Sequence, residues 1–226
     1  MLFWDTSLRD LFAKGGVMMW PLLACSMAAL ALILDRLVIH WLLQMNVPSF
    51  VLALRGHLGQ GRRDKALADC RARRHPASRV ALAYLEHEHD GDAERGRIIE
   101  REGILALAAA QKYVGDLALL SKIATLLGLL GTVTGLAATF HELEGARGAV
   151  NVAVLASGIW EALITTVFGL VIAIPAMAAC HHFQNQVNKM ARWMGIVVSH
   201  LDSVLHHDTP SESHAPRVES LLISEI

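Results

Sequence analysis

The sequence predicts an all-α membrane protein with three transmembrane helices and long helical extensions on the cytoplasmic side. Three observations predict it. Three apolar runs each reach the ~18 residues that a spanning helix needs. Charged residues make up 18% of the 226-residue chain, against roughly 25% in soluble domains. Those charges are concentrated between the runs and after them.

The first run, residues 17–34, reads VMMWPLLACSMAALALIL and stops at Asp35-Arg36. Its LLACS segment looks like a lipidation signal centred on Cys25. A signal's apolar core ends before its cleavage site, however, and this one continues to Leu34. The run is therefore read as a retained helix, with Trp20 at an interface. The second run, residues 123–140, carries no charge, and the third, residues 152–179, contains Glu161 alone. Helical pattern without proline extends from residue 93 into the second run, and a helical segment at 180–205 follows the third. Each of these helices is expected to run on without a break.

Lysine and arginine set the orientation. Arg55, Arg62, Arg63, Lys65, Arg71, Arg73, Arg74 and others as far as Lys112 lie between the first two runs. The short link HELEGARGAVN after the second run has Arg147 against two glutamates. The positive-inside rule puts residues 35–122 in the cytoplasm as a helical loop and residues 141–151 outside. Residues 1–16 are then outside, and residues 180–205 form a cytoplasmic helix. The tail, residues 206–226, is polar with two prolines and is expected to be disordered.

A net charge of −1 leaves no generally basic surface for nucleic acid. The three cysteines are far apart and lack metal-ligand spacing. Cys70, in the basic loop, is expected to be open to thiol reagents from the cytoplasm. HEHD at 87–90 reads as a solvated turn, since four adjacent residues cannot all face one ion without a partner segment. Ser157 has no histidine inside a membrane run to activate it, so an intramembrane hydrolase is set aside and no catalytic residue is assigned. No motif asks for a metal or another cofactor.

On a helical wheel the second run puts Ser121, Ala124, Thr125, Gly128, Gly131, Thr132, Gly135 and Thr139 on one face. The third lines up Gly158, Ala162, Thr165, Gly169, Ala173 and Ala176, with Glu161 and Thr166 at its two edges. Small residues let helices approach closely in lipid, so Gly128, Gly131, Gly135, Gly158, Thr165 and Gly169 are assigned to helix packing. Packing does not account for Glu161. A carboxylate in a membrane helix costs several kcal/mol and normally marks an ion or proton path. No basic residue in the runs can neutralise it.

LLGLLGTVTGL at 126–136, followed by GIWEALITTVFGLVIAIPA at 158–176, resembles the MotA/TolQ/ExbB proton channel family, nearest its ExbB and TolQ branch. GGVMMWPLLACSMAALALILDRL at 15–37 is similar to that branch's first membrane helix. The resemblance implies a bacterial inner-membrane homo-oligomer, a pentamer, with a periplasmic N-terminus and a cytoplasmic C-terminus. It implies a pore around the single membrane helices of an ExbD- or TolR-like partner that carries an aspartate. Proton flow there would drive a TonB- or TolA-like protein, in TonB-dependent uptake or in envelope integrity. Thr132 and Thr166 match the family's pore-facing threonines and Glu161 its membrane glutamate. The rival from another class is a membrane scaffold whose polar stripes only pack helices.

Overall fold

A computed structural model describes residues 15–43, 45–145 and 152–205. The expectations for residues 1–14, for 146–151 in the short link and for the tail at 206–226 lie outside them. The described residues form seven helices: α1 (Met19–Leu42), α2 (Val47–Gly59), α3 (Arg63–Ala72), α4 (Pro76–Glu86), α5 (Asp92–Gln111), α6 (Val114–Gly145) and α7 (Val152–Leu205). Among the described residues, three stretches are long and apolar enough to cross a membrane: Met19–Trp41, Asp92–Glu144 and Leu155–Leu205. Within the second, a turn at Lys112 and Tyr113 separates α5 from α6, so its apolar portion is α6.

The chain divides into two compact units, Met1–Leu37 with Tyr113–His182, and Val38–Lys112 with Phe183–Ile226. In the first unit, α1 buries Met19, Leu22, Ala29 and Arg36 at helical spacing and exposes Trp20, Met27, Leu30 and Leu34. A contiguous exposed apolar face of this kind is what a helix offers to lipid or to another helix. α6 buries Ser121, Ala124 and Thr139 and exposes Leu126, Leu129, Leu130 and Val133. α7 buries Ala162, Ile164, Thr165, Ala173 and Ala176 and exposes Leu163, Val167, Val171 and Ile174. Along residues 121–139 of α6 and 162–176 of α7 the inward face is thus mainly small, with Ile164 the large exception, and branched residues face outward.

The turn between α5 and α6 differs from the unbroken helix expected over residues 93–140. Tyr113 has φ +65°, a left-handed conformation that glycine would adopt more cheaply. A tertiary contact accompanies it. The Arg36 guanidinium lies 5.3 Å from the centre of the Tyr113 ring and is paired with Asp35 at 2.9 Å. Cation–π attraction strengthens when the cation is desolvated, and Arg36 is buried. Without a proline or glycine at the break, the local sequence carries no signal for it.

The second unit has a water-soluble type of core. Phe50, Leu54, Ala66, Cys70, Ala77, Val80, Tyr84, Leu85, Ile99, Met194, Val197 and Leu201 form one buried cluster. Two of its short helices, α2 and α4, have side-chain caps. Asn46 Oδ1 accepts from the Ser49 N–H, and His75 Nδ1 accepts from the Ala77 N–H at 3.1 Å. One polar network is built into this core. The Tyr84 hydroxyl donates to Asp202 at 2.9 Å, and the buried Arg95 pairs with Asp92 at 2.8 Å and lies 5.0 Å from the centre of the Tyr84 ring. The HEHD segment forms the turn after α4, where Arg63 reaches Glu88 at 3.1 Å and His89 Nε2 at 3.1 Å.

Cys70 corrects the expectation of an open thiol. It is 1% exposed, and burial pushes its thiol up to about 12, so little thiolate exists to react. Arg71 and Arg74, close to it in sequence, face water, but its own position is on the core side of α3.

His75 gives the second unit a pH dependence. Burial lowers its pKa to about 4, below the ordinary value of about 6.5. The unfolded chain therefore takes up a proton that the folded chain refuses between about pH 6.5 and 4. The stability His75 contributes is complete above about pH 6.5 and is lost as pH falls towards 4, by at most about 3 kcal/mol. His75→Asn keeps a helix-capping oxygen and removes the titration. The stability advantage of the native chain over this variant, from denaturant unfolding in neutral detergent, should shrink as pH falls from 7 to 4. An advantage that is constant across that range contradicts the account.

Candidate functional site

The site is built on the contact between α6 and α7, which run antiparallel. Near one end, a Cβ added at Gly169 would lie 2.8 Å from the Ala124 carbonyl oxygen and 3.0 Å from Gly128 Cα. A Cβ at Gly128 would lie 3.2 Å from Thr166 Cα. Here backbone meets backbone, and only glycine leaves room. Further along, Gly131 lies against the Thr165 side chain, Gly135 against Ala162 at 3.1 Å from its Cβ position, and Gly158 against Thr139.

Close approach brings hydroxyls within reach of the opposite backbone. Thr166 Oγ1 donates to the Gly128 carbonyl at 2.8 Å, and Ser121 Oγ donates to the Ala173 carbonyl at 2.9 Å. Cys180 Sγ donates to the Val114 carbonyl at 3.5 Å. In lipid these groups have no water to turn to, so each bond satisfies a donor that would otherwise be stranded. Pro175 lies inside α7 and lacks the N–H that Val171 would accept. The Ser121 bond arrives in that same turn.

The remaining hydroxyls bond within their own helices. Thr165 donates to Ala162 at 2.7 Å, Thr132 to Leu129 at 2.7 Å, Thr125 to Ser121 at 3.1 Å and Thr139 to Gly135 at 2.8 Å. Thr165 is buried between the helices, Thr125 is exposed and Thr132 is half-buried. The packed stripe on α6 is therefore narrower than the wheel's face, with Thr125 and Thr132 at its margin.

The structure groups the polar candidates in two places. Thr166 reaches Gly128, one helical turn from Thr132 on α6. Glu161 lies about 7.5 Å back along the α7 axis at ~1.5 Å per residue, on the other edge of the stripe. Its carboxylate touches Gly16, in the turn that leads into α1. Glu161 is otherwise exposed, and no described residue forms an ion pair with it. Gly16 was not legible as a partner in sequence, because it stands 145 positions away from Glu161.

The family profile of the MotA/TolQ/ExbB proton channel family matches residues 72–195. The chain belongs to this family. That match takes in the packed stripes, Glu161 and both edge threonines. Relatives in the ExbB and TolQ branch extend the likeness. The biopolymer transport protein exbB1 of Vibrio cholerae is 29% identical over 92% of this chain and 97% of its own length. The putative biopolymer transport protein ExbB-like 1 of Synechocystis is 31% identical over 97% of this chain and 87% of its own. The Tol-Pal system protein TolQ of Haemophilus influenzae is 37% identical over 44% of this chain and 43% of its own. Family and helices together make this a multi-pass inner-membrane protein of the proton-channel, energy-transducing class.

The backbone contact yields a direct test. Gly169→Ala forces a Cβ onto the Ala124 carbonyl and should destabilise the chain by about 1–3 kcal/mol, the usual effect of overpacking. Gly115→Ala, in α6 with nothing within 4 Å of its Cβ position, should be neutral or stabilising by up to about 1 kcal/mol. Denaturant unfolding in detergent compares them. Equal stabilities would mean that the two backbones are not in contact at Gly169.

Proposed function

We propose that the chain is the proton-channel subunit of an ExbB/TolQ-type motor. Copies of it, five by resemblance, would surround single membrane helices of an ExbD- or TolR-like partner whose aspartate carries the proton. The partner would pass mechanical work to a TonB- or TolA-like protein across the periplasm. The N-terminus is periplasmic and the C-terminus cytoplasmic in this reading, which the basic residues between α1 and α6 support.

The observation that carries the proposal is Glu161. It is an exposed carboxylate, without an ionic partner among the described residues, on a helix whose neighbouring surface is apolar. A scaffold has no use for such a group, and its desolvation penalty would select against it. A channel subunit uses it to keep part of the path wet. Thr132 and Thr166 would add hydroxyls beside that path. Gly128, Gly131, Gly135, Gly158, Thr165 and Gly169 would hold α6 and α7 close enough for the path to keep its width.

Within the branch, the ExbB-named relatives of Vibrio cholerae and Synechocystis match 92% and 97% of the chain, whereas the ExbB match of Salmonella typhimurium covers 53% of it and the TolQ match 44%. This favours transport of the TonB-dependent kind. The TolQ match, 37% identical over its segment, supports a Tol-like role in envelope integrity as the second reading.

The test combines substitutions at three positions. Glu161→Gln should retain part of the activity and Glu161→Ala lose it, since the obligatory titrating group is on the partner. Thr132→Val removes a hydroxyl bonded only within its own helix and should impair transport while leaving partner binding intact. Thr166→Val also deletes the bond to Gly128, so Thr166→Ser, which keeps the donor, separates packing from path. The assay is growth on a ligand that requires energised uptake, or detergent resistance for the Tol-like reading, with co-purification of the partner as control. Full activity in a Thr132→Val, Thr166→Val double variant would favour the scaffold.

A further inference from the structure

Gly16 has φ +64° and no side chain, and the Glu161 carboxylate occupies the space a side chain would fill. A Cβ there would fall on Glu161 Oε1, with Cδ at 3.2 Å and Cγ at 3.9 Å. The turn that carries Gly16 is itself held down. Neighbouring Gly15 sits over Met19, 2.5 Å from its Cγ to the Cβ position, and 3.4 Å from Ile164 Cγ2. Met19 is 2% exposed and Ile164 1%. Ile164 is three residues after Glu161 and so on nearly the same side of α7. The α1 turn is thus anchored on α7 at Ile164 and passes over the carboxylate at Gly16.

We propose that Gly16 is a positioning residue for Glu161. Its bare left-handed backbone forms one wall of the carboxylate's seat and restricts the rotamers of a side chain that is open on its other sides. A glutamate on a helix has three soft torsions, and fixing them orders the group only if something rigid stands beside it. Peptide backbone uncovered by a Cβ lets the carboxylate lie directly against it, which a side chain at this position would prevent. Any other residue at position 16 fails twice: the backbone conformation disfavours it, and its Cβ takes the place of Oε1. This inference rests on the proton-path reading of Glu161 for its functional meaning, but the contact itself can be tested without transport.

The measurement is the rate at which a hydrophobic carbodiimide labels Glu161 in native membranes, read by peptide mass. Gly16→Ala should raise it about fivefold, the size expected when one long side chain is freed, because the displaced carboxyl swings to the open side of α7. Glu161→Asp with Gly16 unchanged withdraws the carboxyl by one methylene and should raise labelling at position 161 by a similar factor. It leaves the α1 turn intact, so it remains informative if Gly16→Ala fails to fold. In the Glu161→Asp background, Gly16→Ala should add little, a non-additivity that marks direct contact. Gly61→Ala is the strain control: Gly61 has φ +66° but nothing within 4 Å, and this change should leave Glu161 labelling as it was. Labelling within twofold of the native rate in both Gly16→Ala and Glu161→Asp overturns the inference, as does an equal rise in Gly61→Ala. The proton-path reading fails separately, if Glu161→Ala retains full transport.

Discussion

The close approach of α6 and α7 at Gly128 and Gly169 is the constraint on which the other features of the membrane unit depend. Two backbones in near contact leave no lipid between them. Thr166 then reaches the Gly128 carbonyl and Ser121 reaches Ala173. A leucine at either glycine would hold the helices apart by the width of a side chain, and these bonds could not span the gap. Apolar burial drives association weakly in lipid, where the surroundings are as apolar as the side chains. Packing and the few interhelical hydrogen bonds therefore carry much of the specificity, and both begin at the glycines.

The same contact sorts polar residues by use. Thr165 is consumed in packing, Thr166 bridges the helices, and Thr132 stays at the margin with its hydroxyl bonded to its own helix. Glu161 is on the opposite edge from Thr166 and meets α1 instead of α6. In the proposed channel these two edges have different tasks. The threonine edge adds hydroxyls to the path, and the glutamate edge keeps a carboxylate in a defined position beside it. The second unit is built by ordinary aqueous rules, with side-chain caps on α2 and α4, a buried apolar cluster and the Tyr84–Asp202–Arg95 network.

Much of this architecture was legible in the sequence because it follows from patterns of short period. Uncharged runs mark the membrane helices, and small residues every three or four positions mark the faces that meet. Glu161 stood out because an ionisable group is costly in lipid. Features set by long-range partners were not legible. The break at Tyr113 is accompanied by Arg36, 77 positions earlier, and no local residue announces it. The burial of Cys70 depends on helices elsewhere in its unit. Gly16 reads locally as part of a flexible turn, and its contact with Glu161 exists only once α1 lies on α7. The wheel also overestimated the packed face of α6, because a wheel assigns an angle and cannot say how wide the neighbouring helix is.

The central claim is that this chain conducts protons when assembled with its partner. It is tested most directly by co-reconstituting the chain with a single-span partner whose membrane helix carries an aspartate, and imposing a potassium-diffusion potential on vesicles containing a pH-sensitive dye. The account predicts proton flux above that of protein-free vesicles, and its loss when the partner's aspartate is replaced by asparagine. A stable complex whose flux equals that of empty vesicles, under a potential of either sign, would contradict it.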